Sequence, residues 1–246
     1  MTYAIVVADA HLDGLDKELE QFLSFLYSLQ ESDIHVVYIL GDLFNIWLGT
    51  PKMQLSYQIS VIEALQVLQN TGIQVIYVEG NRDYFLSPFY LNAPFVEIAS
   101  EYTQTLIGNT QFYLSHGDLV NVFDRQYRLW RSFSRNRLIY TGFKWLPRSV
   151  AVRLVNHLEQ KLRGTNQRNK ASFPAKTCEI YARNLMQAGY DVVILGHFHE
   201  ERQQEFFVNG QKKYLYVLPA WQDAHRYLEI SDQGECCFRR FVVRYA

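Results

Sequence analysis

Five short polar clusters hold the side chains best suited to chemistry: Asp9-Ala10-His11, Gly41-Asp42, Gly80-Asn81-Arg82-Asp83, His116-Gly117-Asp118 and Gly196-His197-Phe198-His199. Together they offer carboxylates, a neutral amide oxygen and four imidazoles. That mixture suits a borderline divalent ion such as Mn, Fe or Zn better than Ca or Mg, which prefer oxygen alone. Asp9, His11, Asp42, Asn81, His116, His197 and His199 are therefore read as metal ligands, enough for two ions. A pair of divalent ions activates water and polarises a phosphoryl oxygen, the chemistry of phosphoester hydrolysis. Arg82, beside Asn81, has the planar fork that neutralises phosphate charge. A lone Asp-x-His or Gly-His-x-His is more often a turn with a satisfied histidine than a ligand set; the inference rests on all five clusters together. His35, His157 and His225 lie outside the clusters and are read as ordinary strand or surface residues.

Those ligands lie far apart in sequence, so the fold must bring them together. Tyr3 to Ala8 is a short apolar, β-branched run of the buried-strand kind ending at Asp9. Leu15 to Leu29 has apolar residues at helical spacing, Val36 to Leu40 is a second buried strand ending at Gly41-Asp42, and Gln54 to Leu68 is a second helix. Ile73 to Val78 is a third strand ending at Gly80-Asn81. This βαβαβ order requires a largely parallel sheet with right-handed crossovers. Further strands are expected at Gln111 to Ser115, Val192 to Leu195, Lys213 to Val217, Arg226 to Ile230 and Glu235 to Val243. Each cluster follows a strand, and strand carboxyl ends in open α/β sheets converge on one crevice.

The net charge of -1 conceals a strong asymmetry. Residues 121–176 carry thirteen Lys or Arg against Asp124 and Glu159, a local charge of +11, and the remainder carries -12. Bulky apolar residues, among them Phe123, Trp130, Phe133 and Leu138, alternate with the arginines, and Val150 to Leu162 has helical spacing. The segment is read as an inserted basic helical cap, residues 121–175, with a loop at Gly164 to Lys170, between the core portions 1–120 and 176–246. Such a surface favours an anionic ligand or membrane over a merely solvated face. The acidic remainder and the lack of a recognised motif argue against nucleic acid. Three cysteines, two of them adjacent, do not make a disulfide framework and fit a reducing compartment. The start, MTYAIVVADAH, carries no export or spanning pattern.

With these motifs the chain resembles the calcineurin-like metallophosphoesterases from Tyr3 to about Leu228. The resemblance implies an α/β fold, a β-sandwich flanked by helices. It also implies one ion held by Asp9, His11 and His199, another by Asn81, His116 and His197, and Asp42 bridging them. Gly80-Asn81-Arg82-Asp83, where many members have Gly-Asn-His, and Asp124-x-x-Tyr127-x-x-Trp130-Arg131 are similar to the UDP-2,3-diacylglucosamine diphosphatases of lipid A synthesis. Tyr216-Val217-Leu218-Pro219-Ala220-Trp221 matches a family strand ending in Trp. The chain departs from the pattern at Ala8, where Ser is usual, at Asn45, where an acid is usual, and at Pro219-Ala220 in place of Gly-Asp.

That resemblance implies hydrolysis of a nucleotide-diphosphate lipid to UMP and 2,3-diacylglucosamine 1-phosphate, with Asp42, Asn81 and His116 catalytic and Mn the expected metal. Asn81, Arg82, Asp124, Tyr127, Arg131 and His197 are the expected substrate contacts, with Asn166 and Lys170 as further candidates in the cap. An anionic inner-membrane surface is the expected partner, the enzyme being peripheral and cytoplasmic, with no obligate protein partner. The competing readings are a hydrolase of another nucleotide-linked phosphate and a protein-binding scaffold that lost catalysis.

Overall fold

The computed structural model describes residues 1–14, 17–168 and 173–242. Its strands are β1 (Thr2–Val7), β2 (Val36–Ile39), β3 (Trp47–Leu48), β4 (Gln74–Val78), β5 (Asp83–Tyr84), β6 (Glu97–Ala99), β7 (Tyr102–Ile107), β8 (Thr110–Ser115), β9 (Val192–Leu195), β10 (Arg202–Val208), β11 (Gln211–Val217), β12 (Arg226–Ser231) and β13 (Cys236–Arg240). The helices are α1 (Lys17–Leu29), α2 (Ser56–Asn70), α3 (Ser87–Tyr90), α4 (Arg125–Ser134), α5 (Arg137–Trp145), α6 (Arg148–Arg168), α7 (Ala175–Gln187) and α8 (Trp221–Ala224).

Two mixed sheets form a sandwich. The first has the order β13-β12-β1-β2-β4-β6, parallel from β1 to β6 with antiparallel β12 and β13 at one side. The second has the order β10-β11-β9-β8-β7, with a parallel centre and antiparallel strands at both edges. Alternation along the strands explains the layering. Ala4 and Val6 of β1 join Tyr38, Ile76, Phe112, Leu114 and Ile194 between the sheets. Ile5 and Val7 face outward to Phe22, Phe25 and Leu65 on α1 and α2, while Val193 and Leu195 of β9 pack with Cys178, Ala182 and Met186 of α7. Covering both outer faces with helices lets the central strands be apolar on both sides.

The cap is helical, with α4, α5 and α6 between β8 and α7. Ala151 and Val155 of α6 pack on Ile46, Leu48 and Met53, which seats the cap on the loop after β2. The loop expected at Gly164 to Lys170 is replaced by α6 as far as Arg168. Lys161, Leu162 and Arg163 before Gly164 and Gln167 and Arg168 beyond it favour the helix, which runs on through Gly164, Thr165 and Asn166 at a modest propensity cost. Lys170, and Asn169 beside it, lie outside the described residues. All three cysteines are free. Among the described residues no helix is long and apolar enough to cross a membrane.

Candidate metal centre

β1, β2, β4, β8 and β9 each end in one of the five clusters, and the chain turns sharply there. Nine non-glycine residues among those described have positive φ, and five of them are Asp9, His11, Asp42, His197 and His199, at 45° to 71°. Asp and His tolerate this left-handed region better than most residues, yet such conformations are stored strain of about 1–3 kcal/mol each, held in place by the surrounding fold. Gly41 and Gly80 let two of the loops pass very close: a Cβ on Gly80 would lie 2.3 Å from Asp42 Oδ1.

The first group is Asp9, His11 and His199, with their ligand atoms all within 4.8 Å of one another. His11 Nε2 lies 3.2 Å from His199 Nε2, and Asp9 Oδ1 lies 3.8 Å from the first and 3.4 Å from the second. The second group is Asp9, Asp42 and His116, equally close. His116 Nε2 is 3.0 Å from Asn81 Oδ1, 3.3 Å from His197 Nδ1 and 3.9 Å from Asp42 Oδ1. All seven residues expected as ligands thus meet in one place.

Several details fit this donor set to divalent ions. Asp9 Oδ1 is buried without a hydrogen-bond partner among the described residues, while Asp9 Oδ2 is fixed by the backbone N–H of His197 at 2.7 Å. His116 Nδ1 lies 2.8 Å from the Leu40 carbonyl. A carbonyl only accepts, so Nδ1 carries the proton and Nε2 turns its lone pair to the site, the usual arrangement of a metal-binding imidazole.

The electrostatics agree. Burial holds the His11 imidazole well below its usual pKa and His197 at about 4, so both stay neutral with a lone pair available. Burial opposes charge on His116 too, but Asp42 and Asp9 outweigh it and raise its pKa. His199 is likewise raised against burial, through Asp9. Burial alone would raise Asp9, but His116, His199 and His11 hold it below the usual carboxylate range. Asp9 and Asp42 thus favour positive charge at His116 and His199, while burial keeps His11 and His197 neutral.

Behind the ligands, Asp83 Oδ2 accepts from the backbone N–H groups of Asp42 (2.9 Å) and Gly80 (2.8 Å) and from the Tyr77 hydroxyl (2.8 Å). It ties two ligand loops together. Burial, then the nearby Asp42 carboxylate, pushes Asp83 up to about 6. Arg82 donates its backbone N–H to Asp42 Oδ1 at 2.9 Å, and its Nε lies 3.5 Å from Asp42 Oδ2.

The expected substrate residues divide. Asn81, His197, Asp124 and Tyr127 line a cavity of about 230 Å³ between the centre and the cap, together with Asp118 and Phe198. Asp124 also caps α4, accepting the backbone N–H of Tyr127 at 2.9 Å. Arg131 is 7% exposed and is engaged within the protein, by the Asp118 carboxylate and the Ser100 carbonyl. Asn166 falls on α6.

Sequence reasoning gave no role to Glu79 or Arg135. Burial raises the Glu79 carboxyl to about 7, partly offset by Arg135. The available signal was the spacing Tyr127, Arg131, Arg135, which is i, i+4, i+8 and puts all three on one side of α4.

The family model for calcineurin-like phosphoesterases matches residues 3–201. A curated relative from Aliivibrio fischeri (strain MJ11), a UDP-2,3-diacylglucosamine hydrolase, is 24% identical over 231 residues, 93% of this chain and 95% of that protein. Another of the same name, from Proteus mirabilis (strain HI4320), is 26% identical over 88% of this chain and 90% of its own. A solved archaeal phosphodiesterase covers 96% of this chain and 98% of its own at 13% identity, with a TM-score of 0.48. With its family model spanning most of the chain and a donor set suited to divalent ions, this protein is a hydrolase belonging to the calcineurin-like phosphoesterase family.

Proposed function

We propose that the chain hydrolyses the diphosphate of UDP-2,3-diacylglucosamine, giving UMP and 2,3-diacylglucosamine 1-phosphate, with Mn as its metal. The carrying observation is the cavity joining Asn81 and His197 to Asp124 and Tyr127 of the cap, and the names of its full-length relatives support the same substrate. When bound, the two ions supply Lewis acidity and activated water. Asp9, His11 and His199 would hold one ion, Asn81, His116 and His197 the other, and Asp42 would stand between them. Asn81, as a neutral ligand, leaves its ion more electrophilic than a carboxylate would. Arg82 is held beside Asp42 by its own backbone N–H, and its guanidinium, between Asp42 and the Asn45 carbonyl, is close enough to the centre to bind a phosphoryl oxygen. Tyr127 and Asp124 bound the cavity on the cap side and orient the remainder of the substrate; Arg131 acts behind them, fixing Asp118. Asn166 and Lys170 remain candidates for contacts farther along the cap.

Purified protein incubated with UDP-2,3-diacylglucosamine should release UMP when Mn is present and stop when chelator is added. Cleavage of a generic aryl phosphodiester with Mn, but no UMP from the lipid, would leave the metal centre intact and sink the substrate.

The cap also supports peripheral attachment to an anionic inner-membrane surface on the cytoplasmic side. Phe123, Leu129, Trp130, Phe133, Leu138 and Trp145 are 58% to 87% exposed, with exposed Arg125, Arg128 and Arg148 among them. Apolar groups interleaved with basic ones suit a headgroup interface. Vesicles containing phosphatidylglycerol should sediment the protein at low salt and release it at high salt; no sedimentation at low salt would refute attachment.

A further inference from the structure

The turn carrying Asn81 and Arg82 is fixed from two sides. From the core, the Asn81 carbonyl accepts from the Tyr84 hydroxyl at 3.1 Å and the Arg82 carbonyl from the Trp47 backbone N–H at 2.9 Å. The carbonyls at the two ends of the turn, Gly80 and Asp83, both accept from Nη2 of Arg135, at 2.5 and 3.0 Å. Arg135 belongs to the cap, as the residue that closes α4. Its side chain is 15% exposed, its Nε lies 3.7 Å from Glu79 Oε2, and its guanidinium stands over the Tyr84 ring at 5.5 Å. One turn earlier on the same side of α4, Arg131 holds Asp118, two residues after His116. A single cap helix thus grips both loops that supply Asn81 and His116.

We propose that Arg135 is a positioning residue for the metal site: it clamps the Gly80–Asp83 turn so that Asn81 Oδ1 stays beside His116 Nε2, making the cap part of the metal-binding framework as well as a cover for substrate. The planar guanidinium matters because one nitrogen reaches both carbonyls while the rest of the group meets Glu79 and the Tyr84 ring. A lysine would keep the charge and a donor but lose the fork and the stacking. Groups behind a metal ligand typically change affinity by about 10–100-fold when lost. The ion beside Asn81 should feel that loss directly, and the ion held by Asp9, His11 and His199, which Arg135 does not touch, should feel it only weakly, through Asp42.

The proposal rests on the two-ion reading, so the test is Mn titration of the metal-free full chain by calorimetry, without substrate. Wild-type protein should take up two ions. Arg135→Gln should weaken one of them by about 10–100-fold and the other far less, Arg135→Lys should recover part of the loss, and Arg128→Gln, on the exposed side of the same helix, should match wild type. Circular dichroism of each metal-free variant checks the fold. Two ions bound as tightly by Arg135→Gln as by wild type would overturn the clamp alone. Equal weakening of both ions would overturn it in favour of a general structural role. Fewer than two ions on wild type would overturn the two-ion reading and the clamp with it.

Discussion

Asp42→Ala is expected to lower Mn-dependent UMP release by more than about 10³-fold, beyond the usual cost of losing one transition-state donor, while the metal-free protein stays folded. The two halves of this expectation have different causes. Activity depends on Asp42 because its carboxylate sits with Asp9 and His116 in one of the two close donor groups, with Oδ1 3.9 Å from His116 Nε2 and Oδ2 3.5 Å from Arg82 Nε. Losing it removes a ligand and, with it, one of the anchors of Arg82. The fold survives because the Asp42 carboxyl is buried among other charges, and burial raises its pKa. Deleting such a group relieves a desolvation cost that outweighs the charge interactions lost, since its pKa is raised in spite of His116 and Arg82. The backbone N–H of Asp42 still reaches Asp83, since that bond does not involve its side chain. Steady-state kinetics with thermal melting of the metal-free variant checks both halves. Full activity would refute the role of Asp42, and a collapsed apo fold would refute the account of its burial.

The seven candidate ligands, which the fold brings close together, stood out in the sequence for a physical reason. A metal needs chemically distinctive side chains, and the parallel strands that deliver them are apolar on both faces, so each ligand stands immediately after an unmistakable hydrophobic run, as Asp42 does after Val36–Ile39. What was not legible is the support behind them. The Leu40 carbonyl that orients His116 has no sequence signature, because any residue but its geometry would serve. Arg135 was hidden differently: in a segment with thirteen basic residues, a half-buried arginine looks like its solvated neighbours until the fold shows which side of α4 meets the core.

The elements missed were those with weak local patterns. β7 (YTQTLI) and β10 (RQQEFFV) are the two edges of the second sheet and are buried along only part of their length. Their polar alternation replaces the continuous apolar run that marks central strands. β3 and β5 have two residues each, too few for any periodicity, and exist because the loops after β2 and β4 lie side by side. The overlong α6 shows the opposite error: Gly164 and its polar neighbours read locally as a loop, and helix propagation overrode them.

Gly80→Ala should be nearly as damaging as loss of a ligand, although it removes no functional group. Gly80 has no unusual φ that excludes alanine; the obstacle is space. Its Cβ would lie 2.3 Å from Asp42 Oδ1, 2.7 Å from Asp42 N and 3.0 Å from Asp42 Cγ. Two of those contacts involve the carboxylate and one the backbone, so rotating the Asp42 side chain cannot relieve all three. The two loops must part by about 1 Å, and a misplacement of that size costs on the order of 10² in rate when it separates catalytic groups. The same movement strains the bonds from Asp83 to Gly80 N and Asp42 N that tie the loops together. Gly142→Ala is the control: in α5, nothing lies within 4 Å of its added Cβ, and replacing an interior helical glycine should raise stability by about 0.5–1 kcal/mol. Kinetics and Mn titration on both variants should show kcat/KM for Gly80→Ala down by about 100-fold or more, with weaker ion binding, and Gly142→Ala unchanged in both. If Gly80→Ala bound two ions and turned over like wild type, the loops would have to be free to separate, and the tight approach of Gly80 to Asp42 could not be what sets the spacing of the centre.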